Sequence, residues 1–199
     1  RSRIWFTLGF GIVNEVYWPS TGEPQLRDLG FIVKHPQGWT EIKRAQRYLL
    51  TTPDAHVPLP KFVHESDDYR LELEYLPHPL RDALLIRYSL EGKDASLYVL
   101  ASPHLGGDRT DNFAWAEDDL LAQRGSRALC LRADSGFSRT SAGYVGSSDG
   151  WQDFDRNGEM TWTYGKAQSG NVALMGELPA TSGTLAMASS CSRSCRACA

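Results

Sequence analysis

Hydrophobic and polar residues alternate along much of this chain with a period of two. The seven-residue stretch RLELEYL, formed as a β-strand, places Leu71, Leu73 and Tyr75 on one face. Glu72 and Glu74 then point to the opposite face, toward water. This pattern is typical of a half-buried strand in an antiparallel sheet.

Short runs of strand-forming residues recur through the rest of the sequence, at residues 83–90, 96–100, 127–131 and 171–175. Turn-forming residues follow many of them, and Asn157-Gly158 is a strong hairpin signal. Only residues 116–124 have a plausible helical pattern. We therefore predict an antiparallel all-β fold with under about a tenth of its residues in helices. A sandwich is favoured over a barrel because strands of uneven length suit stacked sheets.

Composition narrows the class of protein. The chain has 199 residues, of which 41% are hydrophobic and 23% charged, values typical of a globular chain with one domain or a small pair. A formal net charge of −3 without a run of Lys and Arg argues against nucleic acid as a partner. No apolar stretch approaches the roughly 20 residues that span a bilayer, so no membrane partner is expected. The first residues lack the apolar core of a signal peptide and an initiator Met, so the compartment stays undetermined.

The last residues differ in composition from the rest. Residues 188–199 contain only Ala, Ser, Cys and Arg, which bury little apolar surface. We therefore expect residues after Leu178 to pack poorly, and we divide the chain into a domain at residues 1–178 and an atypical tail at 179–199. Three cysteines of this tail have a C-x3-C-x2-C spacing known from iron–sulfur sites, namely Cys191, Cys195 and Cys198. Because one residue follows them and a fourth ligand is not near, an iron–sulfur role is not predicted.

One stretch has the spacing of a calcium loop. The sequence DFDRNG presents Asp153, Asp155 and Asn157 as alternate oxygen ligands and matches the start of an EF-hand loop. The twelfth position is Tyr164 instead of the bidentate Glu, and no helix is predicted on either side. A plain hairpin turn is the favoured interpretation, with a calcium site as the alternative and no other cofactor expected.

Common catalytic signatures do not occur in the sequence. The histidines do not have metalloprotease spacing, and the motifs of serine hydrolases and phosphate-binding loops are absent. Glu72 and Glu74 lie about 7 Å apart on one strand face, a separation that inverting glycosidases use. A solvated charged face explains the same pair, so we assign no catalytic residue.

Aromatic residues suggest a binding function. The sequence has six tryptophans, and Trp151 lies in a predicted loop beside Gln152 and Asp153. Apolar faces of sugar rings stack on indoles while amide and carboxylate groups bind their hydroxyls. We therefore select these three residues as candidate substrate-binding residues, with an expected affinity near millimolar. A contact between domains or a place in the core is the alternative for Trp151.

Four ordered segments resemble one family. They are WFTLGFGIVNEVYWP at residues 5–19, LRDLGFIV at 26–33, GYVGSSDGWQD at 143–153, and residues 160–178, which contain MTWTY and GNVALMGEL. In this order they are similar to the N-terminal domain of bacterial glucoamylases and glucodextranases of glycoside hydrolase family 15. The resemblance covers residues 4–178, most of the chain.

The resemblance implies a fold and a partner. It implies an antiparallel β-supersandwich of the galactose-mutarotase-like type that packs against a separate (α/α)6 barrel, and it agrees with the period-two pattern. In this family the barrel supplies two glutamates, a general acid and a base that activates water, and no position here matches their motifs. The likeness ends at Leu178, so the closing strands and the barrel are expected to be missing.

The function implied by the resemblance is that of a non-catalytic accessory domain, or a truncated fragment, of an α-glucan hydrolase. Its expected partners are the (α/α)6 catalytic barrel and, weakly, α-glucan oligosaccharides. The alternative is a self-standing carbohydrate-binding β-sandwich module. The accessory domain and the self-standing module differ in whether a catalytic barrel belongs to the same protein.

Overall fold

The computed structural model of this protein describes residues 1–45, 47–57 and 59–190. Strands make up 56% of the chain and helices 8%. The strands form two antiparallel sheets that face each other across one main core. The predicted all-β sandwich with under a tenth helix is therefore confirmed.

Within these described residues, the chain forms sixteen strands, two α-helices and one short 3-10 helix. In order, the elements are β1 (Trp5–Gly9), β2 (Ile12–Tyr17), β3 (Pro24–His35), β4 (Gly38–Glu41), α1 (Ile42–Ala45), β5 (Leu49–Thr51), β6 (Lys61–Glu65), β7 (Arg70–Pro77), β8 (Ala83–Glu91), β9 (Ser96–Pro103), the 3-10 helix (Leu105–Gly107), β10 (Asn112–Ala116), β11 (Leu120–Arg124), β12 (Arg127–Ala133), β13 (Arg139–Tyr144), α2 (Gly150–Asn157), β14 (Lys166–Gly170), β15 (Val172–Leu178) and β16 (Ser182–Ser190).

Seven strands form sheet A and nine form sheet B. Sheet A has the order β1-β2-β3-β9-β15-β13, with β4 paired to the end of β3. Sheet B has the order β14-β10-β11-β12-β16-β8-β7-β6-β5. All the pairings are antiparallel. Strands distant in sequence therefore become neighbours, and the ends of each sheet are formed by different parts of the chain.

The main core lies between the two sheets, as the alternation predicts. In β7, Leu71, Leu73 and Tyr75 are fully buried and belong to this core. Glu72 lies on the opposite face, where its carboxylate pairs with Lys61 of β6. The face assignment from the period-two pattern is confirmed.

Strand β16 corrects the expectation for the residues after Leu178. It lies in the middle of sheet B, between β12 and β8, with Leu185 and Met187 fully buried. Poor packing is therefore the wrong prediction for Ser182–Ser190. The small residues of this strand alternate with larger apolar ones, so the strand fills the core from one face although its composition resembles that of a tail. The tail cysteines at 191, 195 and 198 lie outside the described residues.

Two local predictions are also wrong. Residues 116–124 do not form a helix, because they contribute to the paired strands β10 and β11. The Asn157-Gly158 pair does not form a hairpin, because it ends helix α2. Gly158 has a left-handed φ of 71°, and its N–H donates to the Phe154 carbonyl. A Gly that tolerates this conformation can close a helix as well as a hairpin, so the dipeptide alone does not separate the two.

Candidate functional site

Helix α2 packs on the outer face of sheet A and places the predicted site residues. Its N-cap is Asp149, whose carboxylate accepts a hydrogen bond from the N–H of Gln152 at 2.8 Å. On the inner side of the helix, Phe154 is fully buried and meets the ring of Tyr98 edge to face at 4.9 Å between centroids. A second, smaller core of Ile32, Tyr98, Phe154, Met160 and Met175 thus fixes the helix on the sheet.

Asp153 is a structural residue of this helix. Its side chain is buried, at 1% exposure. One carboxylate oxygen accepts from Asn157 Nδ2 at 2.8 Å and Thr161 Oγ1 at 2.6 Å, and the other accepts from the N–H groups of Thr161 and Trp162, both at 2.7 Å. The carboxylate therefore ties the segment after the helix back onto it, and it does not line the cavity described below.

The calcium alternative does not fit these residues. A calcium loop needs alternate oxygens that converge on an ion, whereas Asp153, Asp155 and Asn157 lie on a helix. The Asp153 oxygens are occupied by four donors, Asn157 turns its NH₂ group toward them, and Asp155 is exposed. Within the described residues, no group of three or more His, Cys, Asp or Glu side chains could hold a metal ion.

Trp151 lies in the first turn of α2, not in a loop, and is half-buried. Its indole meets that of Trp39 edge to face, with 6.2 Å between the ring centroids. The guanidinium of Arg44, from α1, lies over one face of the indole at 4.3 Å from the ring centroid. A sugar ring that used this face would have to displace Arg44.

Arg44 also forms an ion pair with Glu41. The Arg44 Nε lies 2.7 Å from Glu41 Oε2, and the Arg44 side chain stays largely exposed. Burial raises the pKa of the Glu41 carboxyl, while the charge of Arg44 and the nearby indole of Trp151 act to lower it. Desolvation is the larger effect, so the pKa of the Glu41 carboxyl stays above its ordinary value.

A cavity of about 560 Å³ lies beside Trp151, between the outer face of sheet A and the two helices. This volume is in the range of small-ligand sites. Its walls combine cations, carboxylates, the indole and an amide, and the polar members include Arg27, Asp28, Glu41, Lys43, Arg44, Asp149, Trp151 and Gln152. Of the three predicted sugar-binding residues, Trp151 and Gln152 line the cavity and Asp153 does not.

The charges in this cavity are largely paired with one another. Asp28 accepts a hydrogen bond from Lys43 Nζ at 3.0 Å and lies 3.3 Å from the guanidinium of Arg27. Sequence reasoning missed Asp28, Glu41, Lys43 and Arg44, because β3, the end of β4 and α1 bring them to Trp151 only in the folded chain. No local motif marks them.

The carboxylates singled out from the sequence also have counter-charges. Glu72 accepts from Arg70 at 2.8 Å and pairs with Lys61, and these hydrogen bonds lower the pKa of its carboxyl. A general acid needs a raised pKa. The geometry around Glu72 is that of a surface ion pair on sheet B.

Comparison with known proteins shows where this sandwich occurs. The model of the family described as glucodextranase, domain N, matches residues 1–197. A glucoamylase of Clostridium sp. (strain G0005) is 25% identical over 192 residues, which cover 86% of this chain and 26% of the relative. The chain therefore spans about a quarter of the length of that relative.

A solved structure shares the fold. The crystal structure of a bacterial glucoamylase complexed with acarbose superposes with a TM-score of 0.90 at 22% identity and covers 96% of this chain and 31% of that one. The match extends over nearly the whole sandwich. Together with the family model that spans almost every residue, it leads to one conclusion: this chain belongs to the glucodextranase domain N family.

Proposed function

We propose that this chain acts as the non-catalytic N-terminal domain of an α-glucan hydrolase and packs against an (α/α)6 catalytic barrel. One observation carries the proposal: the domain N model spans residues 1–197, while the matching glucoamylase has this segment as only 26% of its length. The rest of such an enzyme is available for catalysis. The comparisons do not favour the alternative of a self-standing carbohydrate-binding module.

The charges of the sandwich support an accessory function. Inverting hydrolysis needs one carboxyl that donates a proton and a second that activates water across the scissile bond. In the cavity, Glu41 is paired with Arg44 and Asp28 with Lys43. Each of these two carboxylates thus has a cationic partner within the chain, and nothing in this pairing assigns one as the proton donor and the other as the base.

The test is hydrolysis by the purified chain. We expect no glucose release from maltose, starch or dextran above a buffer control. Glu41→Gln and Glu72→Gln are the informative variants, because each removes one carboxylate and keeps its shape. Turnover that disappears in either variant would overturn the accessory function, whereas turnover unchanged in both would identify a contaminating enzyme.

Weak sugar binding at Trp151 and Gln152 stays a prediction. It is supported by the cavity that both side chains line, and it is opposed by Arg44, which covers one indole face. Titration of maltotetraose followed by tryptophan fluorescence tests it, with Trp151→Ala and Gln152→Ala as variants. A response that is the same in Trp151→Ala and in the unmodified chain would exclude this indole as the sugar platform.

A further inference from the structure

Exposed apolar side chains gather at one edge of the sandwich. Four of them form what we call the edge patch, with exposed fractions of 49% for Phe10, 40% for Tyr48, 62% for Leu49 and 54% for Leu50. Such residues are normally scattered singly over a surface. Here three are consecutive in sequence, and the fourth reaches them from the other sheet.

His64 connects the two parts of the edge patch. The Tyr48 ring packs against the rings of Phe62 and His64, at 5.2 and 5.7 Å between centroids. His64 is buried and its Nε2 donates to the carbonyl of Gly11, the residue after Phe10, at 3.4 Å. The turn between β1 and β2 therefore lies directly beside Tyr48.

That turn is held firmly and presents Phe10 outward. The Gly11 carbonyl also accepts from the Tyr75 hydroxyl at 3.3 Å, and a Cβ at Gly11 would collide with the imidazole of His64. Phe10 itself has a φ of 54°, in the left-handed region that a bulky aromatic residue adopts rarely. Strain of this kind persists where surrounding contacts enforce it, and strained residues cluster at functional sites.

The edge patch includes the end strand of sheet B. Within the described part of the chain, β5 pairs with β6 on one side and leaves its other side unpaired. Proteins usually protect such an edge with charged residues, yet β5 reads Leu-Leu-Thr. The opposite end of the same sheet, β14, reads Lys-Ala-Gln-Ser-Gly and is polar where it is exposed. The two ends of one sheet thus differ in the surface that they present.

We infer that the edge patch is the surface by which this domain docks onto the catalytic barrel. This inference rests on the proposed function, since the barrel is the partner named there. Protein interfaces have an apolar, aromatic centre and a polar rim. Here the rim carries Arg47, which is exposed and has no ion pair among the described residues, and the largely exposed Arg44. The barrel surface that fits is therefore apolar at its centre with carboxylates around it.

The length of the relatives favours this occupant over a second copy of the chain. About three quarters of the matching glucoamylase lies outside the shared segment, so a large surface of the same polypeptide is available to cover the patch. Strand β5 has three residues, which is short for a stable edge-to-edge pairing of two copies. A dimer of the isolated chain is one outcome that the experiment below detects.

The experiment compares the isolated chain with a full-length chimera in which this chain replaces the matched segment of the Clostridium glucoamylase. Hydrogen exchange is measured in both proteins, and we expect at least tenfold slower exchange at residues 10–13 and 48–51 in the chimera.

The variant Leu49→Lys/Leu50→Lys is expected to lower the Tm of the chimera by several degrees and to leave that of the isolated chain unchanged. Leu80→Lys, at a residue that is 79% exposed outside the patch, is the matched control and is expected to change neither. Phe10→Asn is a second patch variant that tolerates the left-handed backbone.

The outcomes separate the two proposals. The assignment of the docking surface would be wrong if slower exchange were confined to another surface, or if the patch variants had the same Tm in the chimera as the Leu80→Lys control. The accessory function would still stand in either case. If the chimera does not fold, and no part of the sandwich exchanges more slowly in it than in the isolated chain, the accessory function itself is wrong. Slower exchange at the patch in the isolated chain at high concentration, with a doubled mass in sedimentation, would assign the patch to a dimer instead.

Discussion

Phe10 belongs to the edge patch and also lines the cavity beside Trp151, but the two regions differ in chemistry. In the cavity, Glu41 and Asp28 have cationic partners within the chain, and one face of the indole is covered by Arg44. In the edge patch, Leu49 and Leu50 are more than half exposed. Polar groups are costly when they lack partners, so a folded domain satisfies them internally. Apolar surface that stays exposed on a rigid turn and strand is more informative about a partner.

Loss of the Asp153 carboxylate is expected to have the largest effect, because it anchors the helix that forms the cavity wall. Asp153→Ala removes four hydrogen bonds of a buried carboxylate and leaves the N–H groups of Thr161 and Trp162 without this acceptor, so we expect a loss of about 3 kcal/mol in the free energy of unfolding. Urea unfolding measures it. Asp155→Asn, on the exposed side of the same helix, is the control and should change the value by less than about 0.5 kcal/mol. A rise in Tm of the unmodified chain on addition of calcium would contradict the structural assignment of Asp153.

The ion pair between Glu177 and Arg139 predicts a loss of stability in acid. Hydrogen bonds from Arg139, Ser138 and Tyr98 hold the pKa of the Glu177 carboxyl at about 2. A depressed pKa in the folded state stabilises the fold above the unfolded pKa, near 4.5, and this contribution disappears as the pH falls toward 2. We expect Glu177→Gln to cost about 1–2 kcal/mol at pH 7 and much less near pH 2. Equal losses at both pH values would show that the carboxylate charge is not the stabilising feature.

Removal of Arg44 tests whether its guanidinium blocks a sugar from the face of the Trp151 indole that it covers. Arg44→Ala uncovers one face of Trp151 and removes the cation beside Glu41, so the pKa of Glu41 should rise further above its ordinary value. Because this ion pair is largely exposed, the loss in unfolding free energy at pH 7 should stay below about 1 kcal/mol. Maltotetraose titration should give a larger fluorescence change in Arg44→Ala than in the unmodified chain. A smaller change would indicate that Arg44 binds the sugar instead of blocking it.

The smallest effect is expected in the edge patch when the chain is alone. Leu49→Lys/Leu50→Lys replaces two side chains that are more than half exposed. The free energy of unfolding of the isolated chain should therefore change by less than about 0.5 kcal/mol. Sedimentation of the isolated chain should be the same before and after the substitution, because the edge patch is assigned to the barrel and not to a second copy of the chain. A loss above about 2 kcal/mol would show that these leucines belong to the core of the domain and not to an interface.

Alternation of hydrophobic and polar residues was sufficient to predict the type of fold. Strands β7, β8, β9, β12 and β15 lie where the pattern places them, and the faces of β7 follow from its sequence alone. A strand has a period of two whatever its partners are, so this information is local. Four segments were also enough to reveal the resemblance that the family model supports.

Long-range contacts decided the rest. The sequence of β16 resembles a tail, and only pairing with β8 and β12 makes it a central strand. The Asn157-Gly158 pair is compatible with a hairpin or a helix end, and the packing of Phe154 on sheet A together with the bonds of Asp153 selects the helix. Residues far apart in sequence form the cavity and the edge patch, and no local pattern encodes their approach. The physical reason is that side-chain periodicity depends on neighbours along the chain, whereas strand order and the approach of helix to sheet depend on which distant surfaces are buried together.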